Sequence, residues 1–136
     1  MPPTSGMETR EIVEAMVRAI NSGRAEAAGQ RMHLSGLFVD SLGNRLEGRR
    51  ALVEGWRAYY RLVPDYRIEI DGMIVDGLEA MLHGRARGTV YRGGLPVEGG
   101  AFEVPAAWRA TSDGGRALTL WQVFADNGPV RALLGP

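Results

Sequence analysis

A chain of 136 residues suits one domain with a single core, and 45% hydrophobic with 24% charged residues is the balance of an ordinary globular protein. Sixteen basic and sixteen acidic residues cancel, which removes the basic patch a nucleic-acid partner requires. No cysteine is present, so disulfides, thiolate metal sites and cysteine nucleophiles are excluded together, and no apolar run approaches the ~20 residues of a membrane span. These features predict a soluble, cytoplasmic, single-domain protein without a membrane or nucleic-acid partner.

The elements follow in chain order. "MPPTSG" predicts a flexible arm over 1–7, and the remaining 8–136 form one domain. Over 9–21, Ile12, Val13, Met16, Val17 and Ile20 mark one face of a helix. "NSG" stops it, with Gly23 as a left-handed cap. A short Ala-rich helix is expected from 24 to about 32. "LSGLFVD" reads as a strand and "SLGNRLEG" as a turn and return segment. A third helix spans 49–62, where Leu52, Trp56, Tyr59, Tyr60 and Val63 form the apolar stripe and Pro64 ends it.

The rest has β character. "YRIEID" alternates, with Tyr66, Ile68 and Ile70 on one face. "EAMLHGRARGTVY", "AFEVPAAWRAT" and "ALTLWQVFAD" supply three more strands, the last two joined by the "SDGGR" turn. Helices followed by antiparallel strands predict an α+β fold, a curved sheet around helices that leaves a cone-shaped pocket.

From about Thr9 to Gly135 the chain resembles nuclear-transport-factor-2-like domains of the SnoaL-like group, which includes polyketide cyclases and ketosteroid isomerases. The stretches that carry the resemblance are "EAMVRAINSGR", "LFVDSLGNRLEGRRALVEGW", "PDYRIEIDGMIVDGLEAMLHGRARGT" and "LTLWQVFADNGPVRALLG". It implies a cone-shaped α+β barrel, a mostly antiparallel sheet around three helices, and a homodimer through the outer sheet face.

The resemblance also implies a role for Asp40, which stands where ketosteroid isomerases carry their general base. A partly desolvated carboxylate there moves a proton beside a ketone. The two oxyanion donors of those enzymes fall at Met16 and Ala106, which donate nothing, so steroid isomerisation itself is not expected. The Arg-x-Asp pair of limonene-epoxide hydrolases meets Arg85, Ala86 and Arg87, so that chemistry is not expected either. What remains is acid/base proton transfer, isomerisation or aldol-type cyclisation, on a small apolar carbonyl-bearing molecule. No cofactor and no metal is implied. The alternative is a non-catalytic binding or dimerisation module of the same fold.

Each candidate has a plainer reading beside the functional one. Asp40 can simply cap a turn. Phe38, Trp56, Tyr60, Trp108 and Phe124 are candidate pocket-lining residues or ordinary core. His83 and Gln122 can orient a ligand oxygen, or His83 can lie with Arg85 and Arg87 on an outward face. Strand parity alone does not decide which face is inside a bent sheet.

Overall fold

The computed structural model describes residues 5–126 and 128–134. Residues 1–4 of the predicted arm lie outside the described residues. The described residues form four helices and six strands. They are α1 (Ser5–Asn21), α2 (Ala25–Gln30), β1 (Met32–Val39), β2 (Arg45–Glu47) and α3 (Arg49–Leu62), then β3 (Arg67–Asp76), β4 (Glu79–Arg92), β5 (Leu95–Ser112), β6 (Leu118–Ala125) and α4 (Gly128–Leu134).

The strands form one sheet in the order β2-β1-β6-β5-β4-β3. β1 and β6 run parallel, and the other neighbours are antiparallel. Register shifts interrupt the pairing in four places, and each such irregularity bends a strand and raises its twist. The sheet therefore curves around the helices as expected for an α+β cone.

The expected stripes are the buried ones. On α1, Ile12, Val13, Met16 and Ile20 are buried, and on α3 the spacing Leu52, Trp56, Tyr60 points inward. Gly23 has φ +72°, the left-handed stop expected after α1. Arg49, the first residue of α3, donates to the carbonyls of Gly29 and Met32 at 2.8–3.3 Å. Its cation thereby satisfies the Gly29 carbonyl at the end of α2, where a positive charge is favoured, and ties it to the Met32 carbonyl at the start of β1.

The structure extends the sequence reading in two places. β5 begins at Leu95 rather than near Ala101, because pairing with β4 carries the "LPVEGG" stretch into the sheet despite its proline and glycines. α4 is a fourth helix where three were expected. Pro129 sits in its first turn, where a missing N–H costs little. Burial of Val130 fixes one side of α4, and Arg92 reaches its last carbonyls, those of Leu133 and Leu134, at 3.2 and 3.1 Å.

Candidate functional site

Inside the cone lies a cavity of about 330 Å³. Its helix-side wall is Leu52, Gly55, Trp56 and Tyr59 from α3, with Tyr66 from the turn into β3. Phe38, Ala86, Phe102, Val104, Val123 and Ala125 supply the sheet side, and Val130 and Leu134 of α4 close another flank. Asp40, Ser41 and Leu42 belong to the turn after β1, and the exposure of Leu42 marks that turn as the rim. An apolar concavity with a few polar groups is the usual form of a small-molecule site.

Aromatic rings organise the helix-side wall. Trp56 stands at the centre, with Phe38 edge-on at 5.8 Å, Tyr60 stacked at 5.4 Å and Tyr66 tilted at 6.1 Å between centroids. Tyr59 and Tyr66 meet edge to face at 5.0 Å. Burial pushes the Tyr59 phenol up to about 12 and raises Tyr60 and Tyr66 further, so all three stay neutral at ordinary pH.

Asp40 sits at the rim and is also the anchor of its own turn. Its Oδ1 accepts the backbone N–H groups of Leu42 and Asn44, both at 2.9 Å, and its Oδ2 accepts the Asn44 amide at 3.0 Å. Gly43, at φ +86°, permits the tight reversal that returns the Asn44 carbonyl to the Asp40 N–H at 2.9 Å. A carboxylate offers about four acceptor positions, so one on Oδ2 is left over after the turn is satisfied. The two readings of Asp40 thus coexist in one geometry: a turn acid that also lines the cavity.

Of the other expected residues, Phe38 and Trp56 line the cavity. Tyr60 does not: it lies behind Trp56, and its hydroxyl donates to the Ile20 carbonyl at 2.6 Å. Trp108 is buried in the core away from the cavity lining. His83, Gln122 and Phe124 lie on the outer face of the sheet, so their expected place in the pocket is corrected. His83 pairs with Ala107, Phe124 with Ala107 and Gln122 with Arg109, all alternating with the inward Leu82, Trp108 and Val123. Strict alternation along β6 would put Gln122 on the face of Leu118, but the register shift beside Ser112 changes the parity, leaving Leu118 inside and Gln122 outside.

The sequence reading missed several lining residues. Tyr59 and Tyr66 were visible as apolar-face residues without an assigned site role. Val130 and Leu134 were legible only as an i, i+4 apolar pair after Pro129, a signal that is weak for a seven-residue helix. Met16 and Ala106 are buried and line no part of the cavity. Among the described residues there is no group of three or more His, Asp or Glu placed to hold a metal ion, and no helix is long and apolar enough to cross a membrane.

Comparison with known proteins supports the same architecture. A hypothetical protein with a ketosteroid isomerase-like fold from Catenulispora acidiphila DSM 44928, solved in complex with trimethylamine, superimposes with a TM-score of 0.78 at 21% identity over 92% of each chain. A candidate SnoaL-like polyketide cyclase from Jannaschia sp. CCS1 gives 0.80 at 16% identity over 100% of this chain and 98% of the other. TerC, co-crystallized with polyporic acid, gives 0.77 at 14% identity over 95% and 99%. At these identities the likeness concerns the fold alone. No curated protein matches the chain. The family model described as the SnoaL-like domain matches residues 13–129, nearly the whole of the described fold, and the chain belongs to that family.

Proposed function

We propose that the protein binds a small, largely apolar, carbonyl-bearing molecule in the cone cavity, and that Asp40 exchanges a proton with it in an isomerisation or aldol-type cyclisation. The observation that carries this reading is the position of one carboxylate, with a free acceptor site on Oδ2, at the rim of a largely apolar cavity. Similar folds with trimethylamine and polyporic acid bound support the small-molecule part of the reading. In the reaction Asp40 would take a proton from a carbon beside the carbonyl and return it elsewhere, a step worth about 10²–10⁴-fold in rate.

A second reading, a non-catalytic binding module, is favoured by the same three hydrogen bonds, which already give Asp40 a complete structural task. Asp40→Asn separates the two. Asn keeps an oxygen for the Leu42 and Asn44 N–H groups, and the Asn44 amide can turn to meet the new NH₂. Deuterium uptake from D₂O next to the carbonyl of 2-tetralone, followed by NMR, is expected to fall at least 100-fold in Asp40→Asn, with ligand affinity preserved. Uptake with the parent no faster than in buffer alone, with only ~1 kcal/mol of stability lost in Asp40→Asn, would establish the module reading.

The same reading includes a cytoplasmic homodimer joined through the outer sheet face. In support, Ile74 and Met81 are cross-strand partners on that face and are exposed, as is Phe124. Light scattering of Ile74→Glu against the parent chain tests the dimer, a monomeric parent ruling it out.

A further inference from the structure

We infer that Tyr59 and Tyr66 are the oxygen-binding pair of the cavity, two phenol donors that select a ligand carrying a carbonyl or phenolic oxygen. The inference rests on the cavity being a small-molecule site and specifies which chemistry that site recognises.

Three observations converge on these two residues. Both line the cavity, and their rings touch each other at 5.0 Å. Among the described residues neither hydroxyl has a hydrogen-bond partner, whereas the adjacent Tyr60 hydroxyl is satisfied by the Ile20 carbonyl. Neither appears among the fully enclosed polar atoms that lack a partner, so each hydroxyl keeps accessible surface.

The physical argument is one of satisfaction. A phenol oxygen held among apolar walls costs free energy unless a partner takes its proton. Packing does not require the hydroxyls, because Phe would supply the same ring contacts with Trp56, edge-on at position 59 and tilted at position 66. Two phenols whose ring centroids lie 5.0 Å apart, and whose hydroxyls have no acceptor among the described residues, are the donors the cavity wall can offer to the two lone pairs of one ligand oxygen. Burial keeps both phenols neutral, so they donate without adding charge to the site. Met16 and Ala106 leave no donor at the positions the family resemblance assigned, and the tyrosines supply donors from α3 and the entry to β3 instead.

Phe38 on β1, two residues before Asp40, contacts Trp56, and Trp56 contacts both tyrosines. A bound ketone would place its oxygen at the phenols and its apolar body along Trp56 and Phe38.

The test uses 2-tetralone and tetralin, which share a bicyclic skeleton and differ by the carbonyl oxygen. Affinities are measured by equilibrium partitioning with the full chain and with Tyr59→Phe, Tyr66→Phe and the double Phe variant. The parent is expected to prefer 2-tetralone about 5- to 10-fold, the worth of one net hydrogen bond. Each single variant should reduce that preference and the double variant abolish it, while tetralin affinity stays constant in all four proteins. Tyr60→Phe is the control: it lowers the melting temperature but leaves the preference unchanged.

Equal affinity of the parent for the two ligands would overturn the inference and leave the cavity intact as a binding site. So would a preference that persists in the double variant, or an equal loss of both ligands. Binding of neither ligand to a folded parent would instead remove the small-molecule reading, and this inference with it.

Discussion

The interior of the cone has a filled end and an open end, and both are built from the inward positions of the same strands. At the filled end Trp108 and Trp121 meet Met16, Met32, Leu82 and Leu118, all 2% exposed or less. At the open end the inward positions of β4, β5 and β6 carry Ala86, Val104, Val123 and Ala125, with Phe102 the one large side chain among them. Large side chains close the space where the helices approach, and small ones leave it vacant beside α3. Met16 and Met32, flexible enough to plug irregular gaps, are spent at the filled end. Met81 is on the outer face, and none of the three reaches the cavity. The cavity is therefore a consequence of side-chain size along each strand, with the backbone curvature common to both ends.

The sharpest way to break this contrast is to hollow the filled end. Trp108→Ala should cost about 3–5 kcal/mol, because a cavity replaces an indole packed on all sides. On the outer face, Phe124→Ala should cost under ~1 kcal/mol, since that ring is already 45% exposed. Urea unfolding of the two variants measures both, and similar losses would mean that the outer ring is covered in solution.

An intermediate effect is expected from pH, because the wall of the open end is rich in tyrosine. Tyr59, Tyr60 and Tyr66 all lie above their ordinary value of 10.0 in the folded state, with burial the leading cause. A group whose folded value is raised stabilises the protein fully below its unfolded value and loses that contribution as pH rises above it. Stability should thus be level up to about pH 10 and fall beyond it, through about pH 12 for Tyr59, by up to ~1.4 kcal/mol per pH unit for each tyrosine. The chain has no lysine, so side-chain ammonium groups do not confuse this window. Denaturant midpoints between pH 9 and 12 in the parent and in Tyr66→Phe give the answer; a parent curve that stays flat would contradict the burial of the wall.

Filling the open end should change stability little. Ala86→Leu adds three carbons to a residue that already lines empty space, so stability should move by less than ~1.5 kcal/mol. Ligand affinity should nevertheless drop at least tenfold. Calorimetric stability and partitioning measured on the same sample check both halves; a variant that binds as well as the parent would mean the ligand sits elsewhere.

Much of this was legible in the order of residues. The helix stripes Ile12–Ile20 and Leu52–Tyr60, the alternation of Tyr66, Ile68 and Ile70, the Gly23 stop and the turn after Asp40 depend on contacts within a few residues, so periodicity and turn chemistry reveal them. Trp56 was legible from the helical stripe of α3 and Phe38 from the strand that carries it, whereas Asp40 was expected at the cavity through the family resemblance, its own local signal being that of a turn acid.

What escaped was decided at longer range. Which of Tyr59 and Tyr60 faces the ligand space depends on how α3 rotates against the sheet, and consecutive helix residues differ by about 100°. Gln122 and Leu118 fall on opposite faces because pairing with β5 slips beside Ser112, a bulge that no local pattern announces. α4 exists because Val130 finds a buried place and Arg92 holds its final carbonyls; seven residues form no stable helix alone. The sequence by itself determined the first three helices, the central strands, the family and the carboxylate at the turn, since these rest on local periodicity and on motif order. Only the tertiary structure decided that the free phenols of Tyr59 and Tyr66 share a cavity, because a hydroxyl becomes a binding group only when folding removes every other partner from its reach.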